Sequence, residues 1–231
     1  MLEMVDGGMP PPVLSPRTLA LKAISQICKD NDSPDTRQIL ANLTDRLFDF
    51  VHNGWEVSRD DGMAVTDGGI ALCLLESYSI AAMESDAGPI WTSRHLPVVA
   101  DMITSAMARP VMNFGEFECT ALKLALNTTN NNPAAANVFS RGELLNNRES
   151  SVMADSVEKT SVAVAHGYLA ILLGYLSLGS RVRRRLEEKS QGSGTTYLLN
   201  SIQQFMNLHD KVETDEMTTS LQRLVNMRPL E

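Results

Sequence analysis

Apolar residues in this chain recur at intervals of three and four nearly from end to end, and no segment alternates apolar and polar residues with period two. Intervals of three and four line side chains along one stripe of a helix, whereas a half-buried strand needs a period of two. An all-α chain is therefore predicted. Ala20, Ala23, Ile24, Ile27 and Cys28 mark a first helix, with Ser15 as its N-cap and Pro16 at the first helical position. After the turn Asp30–Pro34, Leu40, Leu43, Leu47, Phe50 and Val51 mark a second. So short a turn predicts that these two pack antiparallel.

A Gly- and Asp-rich loop is predicted from Asn53 to Asp67, then a helix from about Asp67 to Met83 with Ile70, Leu74, Tyr78 and Ala81 on its stripe. Ser85 to Arg94 reads as a second loop. Leu96 to Ala108 reads as a helix, with Pro97 tolerated only in its first turn. Phe117, Ala121, Leu124, Ala125 and Thr128 mark the next helix, and Asn130–Pro133 ends it and opens a short one through Phe139. Glu149 to Leu178 holds a long apolar helix, and Gln191–Gly194 is a loop. Leu198, Ile202, Phe205 and Met206 form a further stripe, and Met217, Leu221, Leu224 and Val225 the last. The units are helical hairpins near the ~40 residues of HEAT or armadillo repeats. No long Pro, Gly or Ser linker divides the chain, so a flexible tail over residues 1–13 and one helical repeat domain over residues 14–231 are expected.

Aromatic residues are only 5% of the chain while Met is frequent at 12, a bias that favours helix packing over β-sandwiches. A formal net charge of -8 repels phosphate backbones and argues against generic nucleic-acid binding. Cys28, Cys73 and Cys119 form no C-x-x-C pair and sit in apolar helical runs, as free thiols of a reducing compartment do. From Ser161 to Ser180 there is no Asp, Glu, Lys or Arg, and Arg181-Val182-Arg183-Arg184-Arg185 follows at once. A membrane span needs about 20 apolar residues. His166, Gly167, Gly174 and two serines interrupt this one, and a helix apolar all round also suits the middle of a helical core.

Catalytic signatures are absent: no Walker loop, no G-x-G-x-x-G, no G-x-S-x-G and no H-E-x-x-H. His52, His95, His166 and His209 have no ligand spacing, and no cofactor or metal is expected. Glu116 and Glu118 read as acids favoured by a helix N-terminus. Asp60, Asp61 and Asp67 lack the alternation and terminal Glu of a calcium loop. Two segments remain as candidate protein-binding sites. The basic cluster, with Arg181 and Arg184 foremost, either complements the C-terminus of the apolar helix or docks an acidic partner or DNA. In Leu126-Asn127-Thr128-Thr129-Asn130-Asn131-Asn132-Pro133, asparagine suits a helix end and a turn. Asn127, a full turn inside the helix, is harder to explain that way, since Asn is a poor helix former. Its amide, with those of Asn130, Asn131 and Asn132, can instead hold a partner's backbone.

Taken in order, three segments resemble one family. The run from Ala121 through Leu122-Lys123-Leu124-Ala125 to Asn127-Thr128-Thr129-Asn130-Asn131-Asn132-Pro133 resembles the Asn-rich helix end of the wings apart-like (Wapl) C-terminal domain. The helix from Val164 to Leu176, with Tyr168, Ala170, Leu172, Leu173 and Gly174, is similar to that family's "Y-x-A-x-L-L-G" helix. The helix from Leu199 to Leu208 is similar to its "F-x-x-F-M-N-L"-type helix. The resemblance spans about Leu14 to Met227. It implies a HEAT-like fold and a nuclear, chromatin-associated, non-enzymatic regulator. Such a regulator promotes release of cohesin from chromatin, with cohesin core subunits and a Pds5-type regulator as partners. The chain departs from longer animal relatives in lacking an acidic insertion after the Asn-rich segment and the N-terminal Phe-Gly-Phe-type motifs. Such compactness fits a fungal-type member or a piece trimmed to its folded part. The alternative is an armadillo- or HEAT-type peptide-binding adaptor of an unrelated pathway, for which a row of asparagines at repeat spacing is expected.

Overall fold

The computed structural model of the chain describes residues 14–30, 33–56, 62–107, 115–130, 132–141, 160–189, 192 and 194–209. The expected tail over residues 1–13 and the expected last helix around Met217 to Val225 lie outside them. Among the described residues every regular element is a helix. They are α1 (Pro16–Asp30), α2 (Pro34–Glu56), α3 (Gly62–Glu84), α4, α5 (Glu116–Thr129), α6 (Pro133–Arg141), α7 (Thr160–Ser177), α8 (Ser180–Lys189) and α9 (Gly194–His209). Helix α4 is composite: Gly88–Ile90, a π-helical turn Trp91–His95, and Leu96–Met107 follow without a break.

Helix starts follow the local sequence closely. Ser15 Oγ accepts the Thr18 N–H at 3.0 Å, and Ser33 Oγ accepts the Thr36 N–H at 3.2 Å. In both cases Pro occupies the first helical position, where its missing N–H costs nothing. At α5, Glu118 reaches back to accept the Gly115 N–H at 2.9 Å, which bears out its reading as an acid at a helix N-terminus.

The hairpins are registered differently from the sequence expectation. α1 makes its main packing contact with α3 rather than pairing antiparallel with α2. A turn length limits the distance between two helices but does not choose a partner, and α3 offers the better one. Buried Asp67 receives Arg17 Nε at 2.5 Å and the Thr18 hydroxyl at 2.7 Å, while Leu21 enters the core beside them. The predicted loop Asn53–Asp67 is mostly helix: α2 runs to Glu56, and α3 already begins at Gly62. The extension is possible because Gly54 and Gly68 let α2 and α3 cross in backbone contact, which compensates the poor helix propensity of glycine.

The predicted loop Ser85–Arg94 is also short, a turn over 85–87 followed by helix. The Leu96 N–H bonds the Trp91 carbonyl, five residues back. A proline inside a helix removes one hydrogen bond and clashes with the carbonyl four residues earlier. A π turn directly before Pro97 widens the helix where that clash would fall, so the helix continues through it.

The resulting units are α2/α3, α4/α5, α6/α7 and α8/α9. Their second members, α3, α5, α7 and α9, pack in series and form the inner row of a HEAT- or armadillo-like stack of hairpins. α7 is enclosed on several sides, with α5, α6, α8 and α9 all against it. Tyr168, Leu169, Ala170, Ile171, Leu172 and Leu173 are consecutive and all buried. That enclosure explains why the helix is apolar on every face. Among the described residues no helix is long and apolar enough to cross a membrane.

Candidate protein-docking groove

In the outer row α6 and α8 stand apart. α6 has only 9 residues, and it leaves a groove of about 760 Å³ between itself, the end of α7 and the start of α8. Asn132, Asn137 and Ser140 line one wall, Arg181 and Arg185 the other, with Tyr175 and Leu178 between them. The two segments singled out in the sequence, some 50 residues apart, thus contribute to one concave surface.

Each wall has a local cause. Pro133 starts α6, and Asn132 caps it: Asn132 Oδ1 accepts the Ala135 N–H at 3.1 Å. The turn between α5 and α6 is tightened by Asn132 N–H donating to the Thr129 carbonyl at 3.1 Å. Opposite, α7 ends at Ser177, Leu178 and Gly179 turn the chain, and α8 begins at Ser180. The arginines therefore sit at the N-terminal end of a new helix, and only Arg183 serves the end of α7, donating from Nε to the Ser177 carbonyl at 3.1 Å. The reading of the cluster as charge complement to a helix C-terminus thus holds for Arg183, whereas Arg181, Arg184 and Arg185 lie on the next helix. Cations in a first turn face the positive end of the helix dipole. Arg181, Arg184 and Arg185 are exposed and, among the described residues, have no carboxylate within ion-pair distance.

The other expected residues divide. The Asn127 side chain points away from the groove and donates to Glu76 of α3, at 3.1 Å to Oε1 and 3.4 Å to the carbonyl oxygen. An amide inside a helix is thereby accounted for by a bridge across the inner row. Asn130 is exposed beside the groove, with φ -60 and ψ 116, so it ends α5 without the left-handed conformation asparagine tolerates. Asn131 lies outside the described residues. Arg184 is exposed but does not line the groove. Sequence reasoning missed Asn137, Ser140, Tyr175 and Leu178. Asn137 and Ser140 are three apart on a short helix, and that spacing was the available signal.

A second polar site lies at the π turn. His95 stacks on Phe48 with ring centroids 4.2 Å apart, and its Nε2 is 3.0 Å from Asp45 Oδ1, off the line of a hydrogen bond. Arg94 completes the cluster with Nη1 3.0 Å from Asp45 Oδ2. Burial holds the His95 imidazole below its ordinary pKa, opposed by the Asp45 charge. Partial burial raises the thiols of Cys28 and Cys119, and partial desolvation together with the Glu116 charge raises that of Cys73, although its residue is exposed; each shift disfavours the nucleophilic thiolate. No group of three or more metal-ligating side chains occurs among the described residues.

The family described as "Wings apart-like protein regulation of heterochromatin" matches residues 2–166, well over half of the chain. The chain belongs to the wings apart-like family. The match runs from the N-terminal segment through the Asn-rich turn and into α7, so the asparagine wall falls inside the wings apart-like region and the arginine wall lies beyond it. The family is one of heterochromatin regulation. No curated protein and no solved structure matches the chain.

Proposed function

We propose that this wings apart-like chain is a nuclear, non-enzymatic scaffold that docks on cohesin core subunits, with a Pds5-type regulator, and promotes release of cohesin from chromatin. The observation that carries the docking role is the groove between α6 and α8, where the capping Asn132 and arginines with no ion-pair partner among the described residues meet across an apolar floor. Uncharged amides pair with a partner's backbone at a lower desolvation cost than carboxylates or ammonium groups. Their fixed position at a turn limits the ordering cost of binding. Family membership supplies the chromatin context.

The test replaces Asn137 and Arg181, exposed residues on the two walls of the groove, by Ala and measures melting and binding to purified cohesin core complexes. Lost binding with unchanged melting is the expected result. Loss of both in parallel assigns these residues to folding alone. If the unaltered protein does not bind cohesin, and cells complemented with it retain abnormally long cohesin residence on chromatin, the proposed function fails.

A further inference from the structure

The groove also carries information about what enters it. Arg181 and Arg185 are four apart on α8 and line the same wall, one above the other. In a chain of net charge -8 they are a local positive spot with no intramolecular carboxylate partner among the described residues. Arg181 lies in the first turn of α8, where the helix dipole makes the field more positive still. Leu178 is 46% exposed, a large apolar side chain at the mouth, and half-buried Tyr175 lies beside it. On the far wall the Asn132 Oδ1 is engaged by the Ala135 N–H, while Asn137 is exposed.

We propose that the α6/α8 groove binds an acidic linear peptide segment of a partner protein, two carboxylates of which pair with Arg181 and Arg185 while an adjacent apolar side chain packs on Tyr175 and Leu178. The inference rests on the reading of the groove as the docking surface and adds the chemistry of its occupant. Guanidinium groups bind carboxylates through paired, charge-assisted hydrogen bonds. The amide wall suits the peptide backbone, which needs donors and acceptors together. Duplex DNA fits less well: a net negative chain repels it, and an apolar floor offers nothing to a phosphate backbone. A second copy of this chain would bring the same positive wall against itself.

Random peptides displayed on phage and panned against the intact protein provide the test. Enrichment of sequences with two Asp or Glu residues near a Leu, Met or Phe is expected. The enriched peptides, synthesised with a fluorophore, should lose affinity about tenfold or more in Arg181→Glu/Arg185→Glu, weaken at higher salt, and bind less tightly to Leu178→Ser. The arginines are exposed, so melting should stay unchanged. If the double variant does not fold, Arg185→Gln alone should still weaken binding severalfold. No enrichment, enrichment of neutral or basic peptides, equal affinity in the charge-reversed protein, or displacement of peptide by a short DNA duplex would overturn the proposal. Self-association in sedimentation that charge reversal abolishes would also overturn it. Loss of peptide binding with cohesin binding intact would refute the groove's docking role and leave its ligand chemistry standing. Cohesin binding without any acidic-peptide preference would do the reverse.

Discussion

Gly54 of α2 and Gly68 of α3 meet backbone to backbone. A Cβ on Gly54 would lie 2.8 Å from the Ala64 carbonyl oxygen and 3.1 Å from the Gly68 Cα. A Cβ on Gly68 would lie 2.9 Å from the Phe50 carbonyl oxygen. The neighbouring atoms are main chain and cannot rotate away. This approach sets the spacing of the first hairpin and so positions the inner row of helices that follows.

Gly68→Ala should therefore destabilise the protein by roughly 1–3 kcal/mol through overpacking. Gly69→Ala, one residue on, should do the opposite. Its Cβ would meet only Phe117 Cδ2 at 4.0 Å, an ordinary contact, and alanine favours a helix interior by about 0.5–1 kcal/mol. Chemical denaturation of the two variants checks the contrast, and equal effects would contradict the crossing geometry.

Leu172 is fully buried at the centre of α7. Leu172→Ala should cost about 2–5 kcal/mol, and Leu172→Asp should unfold the domain, since an unpaired buried charge is costlier than a cavity. Far-ultraviolet circular dichroism on heating provides the measurement. A Leu172→Asp protein that melts like the parent would place α7 at the surface.

Asp67→Ala removes the acceptor of both Arg17 and Thr18. Arg17 is 54% exposed and can reach water, so the cost is set mainly by the buried Thr18 hydroxyl and the lost anchor, about 1–3 kcal/mol. The effect should be local. Amide exchange should accelerate over residues 16–30 more than over α7, and uniform acceleration would show that α1 is not a separable unit.

His95 makes stability depend on pH. Burial lowers its folded-state pKa below the unfolded value, so between the two pKa values the unfolded chain binds more protons. This contribution is fully present above about pH 6.5 and is lost as pH falls below it. His95→Phe keeps a ring against Phe48 and removes the titration, although Asp45 then pairs with Arg94 alone. Between pH 7 and pH 5 the variant's melting temperature should fall less than the parent's. Parallel curves would remove His95 from the acid sensitivity.

Asn132→Ala deletes the cap of α6 and should cost about 1 kcal/mol, or roughly 2–4 °C in melting temperature for a domain of this size. Asn130→Ala should cost much less, because its exposed side chain caps nothing among the described residues. Thermal melts of the two single variants separate the roles, and an equal drop would contradict them.

The helical class, the capped starts at Ser15 and Ser33, and the stripes of α2 and α9 were legible in the sequence, because apolar spacing and capping act within a few residues. The length of α3 and the continuity of α4 were not. Gly68 and Pro97 each argue locally against a helix, and each is accommodated by something outside its own window: the backbone of α2 in one case, a π turn in the other. Asn127 looked like a binding residue until Glu76 of α3 stood beside it. The arginines looked like the end of one helix until Gly179 turned the chain and made them the start of the next. The sequence alone determined which residues seek burial and where helices can begin. Only the tertiary structure decided which helices pair, because α1 could satisfy its apolar stripe against either neighbour and Asp67 selects α3. It also decided that the asparagine and arginine segments share a groove, since that depends on the separation of α6 and α8, a distance no local interaction encodes.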